Sequence, residues 1–157
     1  MKKYLLMTLM LVMAFAVSAQ THNNPRQRSN NKNVKVSKVV RSKTSTVVYI
    51  SANFDSDRYC YLDGATLTDE VNGKKYNARK ALNFEWKKKY KGRNFTFRVE
   101  FPAIPTDASV VSFREVSNGG NPWIISNIAI PVKQNSNSSS GNSTKVTKGD
   151  KTIIINM

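Results

Sequence analysis

Phe95-Thr96-Phe97-Arg98-Val99-Glu100-Phe101 exchanges an apolar for a polar side chain at every step. Successive side chains of an extended chain point to opposite faces. Phe95, Phe97, Val99 and Phe101 therefore share one face, and Thr96, Arg98 and Glu100 share the other. This is an antiparallel strand with one buried side and one wet side. Pro102 and Pro105 end it, since proline brings no N–H to a ladder. Upstream, Leu82 to Tyr90 alternates in the same way, with Phe84, Trp86 and Tyr90 opposite Asn83, Glu85, Lys87 and Lys89. Lys91-Gly92-Arg93-Asn94 reads as the turn between the two arms.

Working outward, Thr46 to Ile50 and Tyr59 to Leu62 are further strand candidates, the second closed by Asp63-Gly64. Ala65 to Val71 and Lys75 to Arg79 flank Asn72-Gly73, the pair that a type I′ hairpin turn prefers because both central residues need positive φ. Ser109 to Val116 and Trp123 to Val132 complete the set around a loop at Asn118 to Pro122. No segment has a helical period. Short strands with turn signals every 8–12 residues or so predict an all-β antiparallel sandwich of about seven to eight strands over residues 46–132.

The flanks differ. Residues 1–19 read as a secretory signal peptide: Lys2 and Lys3, an apolar run from Tyr4 to Val17, then small residues at Val17-Ser18-Ala19. No cysteine follows to accept a lipid. The mature chain is expected to start at Gln20, without an integral membrane segment, and to work in the periplasm, at the cell surface or outside the cell. Residues 20–45 read as a basic, mostly disordered arm. Gln20 to Asn33 is rich in Asn, Arg and Ser, while Val34, Val36 and Val40 make Val34 to Arg41 a strand or strand-forming arm. Residues 133–144 are a Ser/Asn-rich linker. Residues 145–157 form a C-terminal β tail, in which Lys148-Gly149-Asp150 suits a hairpin turn. Its apolar run, Thr152-Ile153-Ile154-Ile155-Asn156, is expected to return to the sandwich edge, to pair with Val34 to Val40, or to dock on a partner.

The formal net charge is +15, and the arm carries much of it: Arg26, Arg28, Lys32, Lys35, Lys38, Arg41 and Lys43 with no acid among them. In the body the densest cluster is Lys87-Lys88-Lys89-Tyr90-Lys91-Gly92-Arg93. Lys87, Lys88, Lys89, Tyr90, Lys91 and Arg93 are the candidate ligand-binding residues, with Tyr90 the one ring expected to be exposed at a hairpin tip. The alternative is a solvated tip without a partner. An exported basic chain suits anionic polysaccharide or lipid headgroups, and the inward faces expected for the other rings argue against a stacking platform for nucleic acid.

Cofactor and metal chemistry find few donors. Cys60 and His22 are single residues of their types and far apart in sequence, which excludes Cys/His metal ligation and Ser-His-Asp or Cys-His catalysis. No cofactor is expected. Cys60, between two tyrosines, reads as a small buried hydrophobe, or else as a reactive or intermolecularly paired thiol. Asp55 and Asp57 suit a turn better than a calcium site. Among Asp55, Asp57, Glu85, Glu100 and Glu115, a glycosidase pair requires two carboxyls about 5–10 Å apart.

Leu67-Thr68-Asp69 with Gly73-Lys74-Lys75-Tyr76, the Phe101-to-Pro105 block followed by Val110 to Glu115, and Trp123 to Ile130 together resemble small exported immunoglobulin-like β-sandwich domains of Bacteroidota. The first proline directly follows Phe101, a departure from their commonest spacing. The resemblance covers about Tyr49 to Val132 and rests on turn and core positions. Such domains occur alone or fused to thioredoxin-like or hydrolase modules, and no activity is assigned to the sandwich. The resemblance implies an immunoglobulin-like fold and a non-enzymatic binding or interaction module of the cell envelope. The alternatives are a carboxylate-dependent carbohydrate-active enzyme and a purely structural accessory subunit.

Overall fold

The structure, a computed structural model, describes residues 19–85, 88–116, 120–132, 146–148 and 151–153. The described residues contain strands and no helix. The alternation that opens at Phe95 is realised in β8 (Lys89–Pro102), where Phe97, Val99 and Phe101 are buried. β8 pairs antiparallel with β4 (Ser45–Tyr59), whose Thr46, Val48, Ile50, Ala52 and Phe54 face the same core. β3 (Val34–Arg41) and then β1 (Gln20–Asn23) extend this sheet on one side, and β7 (Lys80–Leu82) on the other.

The second sheet runs in the order β2 (Arg28–Ser29), β10 (Ile124–Ala129), β9 (Val110–Arg114), β5 (Thr66–Asp69) and β6 (Lys75–Asn77). Every pairing is antiparallel. The sheets share one core. Phe101 meets Phe113 edge-on at 6.3 Å, and Phe97 lies 6.3 Å from Trp123, centroid to centroid. Burial of these rings and of the Val, Ile and Leu side chains around them is the main stabilising term, at roughly 25 cal/mol per Å² of apolar surface.

Several local expectations change. Gln20 to Ser29 is structured, not disordered, so the folded body starts well before residue 46. β1 pairs with β3, the chain then crosses to the other sheet, and β2 pairs with β10. Polar residues achieve this through backbone bonds and one side chain. The Gln27 amide donates to Val36 O and accepts from Val36 N–H, both at 2.7 Å, as a neighbouring strand would. In β3 a bulge between Val36 and Lys38 shifts the phase, so Val39 and Arg41 turn inward instead of Val40.

Lys91 to Asn94 is not a turn. β8 runs through it, with Gly92 at φ 107° and Asn94 at φ 65° absorbed as irregularities in the ladder. The partner β4 continues to Tyr59, so Asp55 and Asp57 lie in a strand and Cys60 to Leu62 lies beyond one. The chain reverses earlier, between Leu82 and Lys89, where Asn83 has φ 59°. The β5–β6 hairpin forms, but only Gly73 of the Asn72-Gly73 pair has positive φ. The loop is wider than a type I′ turn because the buried Asp69 carboxylate accepts from Val71 N–H and from the Asn72 amide.

In the tail, β11 (Val146–Lys148) pairs antiparallel with β12 (Lys151–Ile153), so Thr152 and Ile153 pair within the tail. Ile154, Ile155 and Asn156 lie outside the described residues, as do residues 1–18, read as a signal peptide, and residues 133–144, read as a linker.

Candidate functional site

β4 and β8 project past β7 as a two-stranded ribbon in which Arg58 is paired with Tyr90 and Tyr59 with Lys89. Lys88, Lys89 and Lys91 are exposed here, as is Arg58 on the facing strand. Lys88 is bonded to Glu85, and that bond holds its ammonium above the ordinary lysine value. Lys89 Nζ lies 3.9 Å from the Asp57 carboxylate and 5.7 Å over the Tyr59 ring. Lys87 is outside the described residues, and Arg93 is described for its backbone only.

Tyr90 corrects the sequence reading. It is 6% exposed, not a surface ring. Phe95 and Phe97 meet it edge-on at 5.3 and 5.1 Å, and its hydroxyl accepts from Glu85 N–H at 2.7 Å. A tyrosine at the mouth of an aromatic core buries its ring and spends its polar end on the nearest free backbone donor.

The exposed ring is Tyr59, at 47%. It borders a groove of about 630 Å³ at this end of the sandwich. One wall is the ribbon, through Asp57, Arg58 and Tyr59. A second wall is the β2–β3 loop, through Asn30, Asn31 and Lys32, with Asn121 and Pro122 from the segment before β10. Phe54, Glu115 and Trp123 also line it, Phe54 and Trp123 being stacked at 5.8 Å.

Two buried or spent polar groups fix the walls. Asn30 accepts from Ile124 N–H and donates to Pro122 O, both at 2.9 Å, pinning the β2–β3 loop to β10. Glu115 accepts from Tyr61 N–H at 2.7 Å through Oε1 and from Trp123 N–H at 3.0 Å through Oε2. Burial lifts its carboxyl above the ordinary range, against the lowering effect of those two donors. Adjacent Cys60 is 1% exposed, and burial together with the Glu115 charge pushes its thiol up to about 12. It is a packed side chain rather than a ready nucleophile.

Of the carboxylates considered for hydrolysis, Asp57 and Glu115 reach the groove, and Asp55, Glu85 and Glu100 do not line it. Among the described residues no three His, Cys, Asp or Glu side chains could hold a metal ion, and no helix is long and apolar enough to cross a membrane. The sequence reading missed the groove because its walls come from a segment read as disorder, a segment read as a turn, and the β9–β10 connection. Such distant pieces carry no shared spacing. Comparison with known proteins finds no matching family model, no matching curated protein and no matching solved structure.

Proposed function

We propose that this protein is an exported, non-enzymatic binding module of the cell envelope that contacts an anionic envelope component through the β4–β8 ribbon. The observation that carries the reading is the exposed set Arg58, Lys88, Lys89 and Lys91, gathered on one projecting ribbon beside a groove. Cations held on paired strands concentrate their field, whereas cations on a loose arm spread theirs. The immunoglobulin-like part of the reading is supported by strand order. With β3 as strand A, the orders β3-β4-β8-β7 and β10-β9-β5-β6 follow A-B-E-D and G-F-C-C′. Export is supported by the charged, apolar and small-residue succession of residues 1–19.

The test is a salt titration of binding to anionic polymer, using the exported protein and a Lys88→Gln/Lys89→Gln/Lys91→Gln variant. Affinity is expected to fall steeply with salt and to drop in the variant. Binding that is equal in both proteins and insensitive to salt counts against the reading. A hydrolase reading draws on Asp57 and Glu115 lining one groove. It is weaker, because both Glu115 oxygens are already held by backbone donors.

A further inference from the structure

We infer that the groove beside the ribbon is a binding site for acidic sugar residues, pyranoses carrying a carboxylate or sulfate, of an extracellular polysaccharide. The inference rests on the anion-binding reading above and gives it a specific site and ligand class.

At about 630 Å³ the groove falls in the size range of sites that enclose small ligands. Three features select the ligand. Tyr59 offers an exposed ring at the rim of a concavity, and an aromatic face there suits the flat C–H face of a pyranose. Lys32 and Arg58 on the walls supply cations, against one exposed carboxylate, Asp57, which Lys89 of the ribbon already approaches. Asn121 brings an amide, which pairs a donor and an acceptor as neighbouring sugar hydroxyls require, and Asn31 adds one whose Oδ1 already accepts from Asn33 N–H at 2.9 Å. The walls are braced before any ligand arrives, by Asn30 across the β2–β3 loop and by Glu115 between Tyr61 and Trp123. Pre-ordering of this kind lowers the entropic cost of binding.

Single-stranded nucleic acid is a poorer fit. It needs successive exposed rings along a basic track, and here Phe54 and Trp123 are 5% and 7% exposed and Tyr61 is partly buried, leaving Tyr59 as the one exposed ring lining the groove. A bare phosphate would leave the ring and the amides without a role.

Trp86 and Trp123 are the only tryptophans, so Trp86→Phe in the exported protein leaves Trp123 as the sole indole reporter in the groove. This protein is titrated with oligogalacturonate, with the same oligomer fully methyl-esterified, with inorganic polyphosphate and with single-stranded DNA. The acidic oligosaccharide is expected to shift Trp123 emission and to bind about tenfold or more tightly than its neutral ester. Tyr59→Ala is expected to weaken it about tenfold. Should Tyr59→Ala lower the melting temperature, Lys32→Gln, at an exposed groove position off the ribbon, takes its place, with the same loss expected. Polyphosphate or DNA binding as tightly as the oligosaccharide, with emission unmoved and no effect of either substitution, overturns the groove assignment. It leaves ribbon-mediated anion binding standing. Failure of every anion to bind, even at low salt, removes both.

Discussion

Arg41 is a cation that the fold takes out of water. It lies 5% exposed at the end of β3 and donates to the carbonyls of Pro105 and Ala108. Desolvation lowers its pKa, while Asp107 and Asp69 act in the opposite direction. Arg41→Met strands two buried acceptors and is expected to cost about 2–4 kcal/mol, read as a lower urea midpoint. Cys60, with its thiol near 12 and its side chain enclosed, is expected to resist iodoacetamide in the folded protein and to react fully in denaturant. Glu115 gives a pH signature. Its folded pKa is raised, so its contribution to stability is present below the unfolded value and is lost as pH rises through the folded one. Relative to Glu115→Gln, the wild type is therefore expected to gain stability as pH falls from neutrality toward the ordinary carboxylate value of 4.5. Urea midpoints that run parallel across that range remove the assignment. The burial of Cys60 was legible beforehand, while the roles of Arg41 and Glu115 were not. Arg41 counted as one more charge of a loose arm, because its burial follows from a bulge four residues upstream.

At the scale of elements, alternation alone was enough to find the inward face of β8, which keeps a strict period of two over its buried half, while β4 and β9 were found as strands by their β-branched and apolar runs. It failed where the phase changes. Gly and Asn at 92 and 94 are turn formers by composition, yet a left-handed residue inside a long ribbon serves equally as a bulge. The difference lies in whether a partner strand continues alongside, which is a tertiary fact. Gly92→Ala separates backbone from packing. A Cβ there meets nothing within 4 Å, but φ is +107°, so a loss of about 1–2 kcal/mol is expected from conformation alone. Gln27→Ala removes the side-chain rung on β3, its bonds to Val36 and its bond to Pro25 O, and is expected to cost about 1–2 kcal/mol by thermal melting. An unchanged melting temperature would show that segment to be an ornament on the fold.

For the whole molecule, sandwich architecture was readable because enough inward faces repeat to require two sheets. Its outline was not. The first ten residues after Ala19 reach the outer edges of both sheets, β1 against β3 and β2 against β10. Composition cannot signal this, because the contacts are made by main chain and amide groups that a disordered segment carries in equal number. The candidate site follows the same rule: its cations were visible as a run, while the groove depends on loops that meet only in the assembled sandwich.

That closure has a consequence for the order of synthesis. Asn30 is bonded to Pro122 and Ile124, and Ser126 donates to Arg28 O, contacts spanning more than ninety positions. The first strands of the sandwich are completed by its last one, β10. A nascent chain stalled before Trp123 holds every strand of the first sheet, yet β2 has no partner and the Asn30 to Lys32 wall of the groove is not pinned to β10. Resistance to protease is expected to appear only once Ala129 has left the ribosome. Until then the polypeptide stays open, a state in which it can still be threaded.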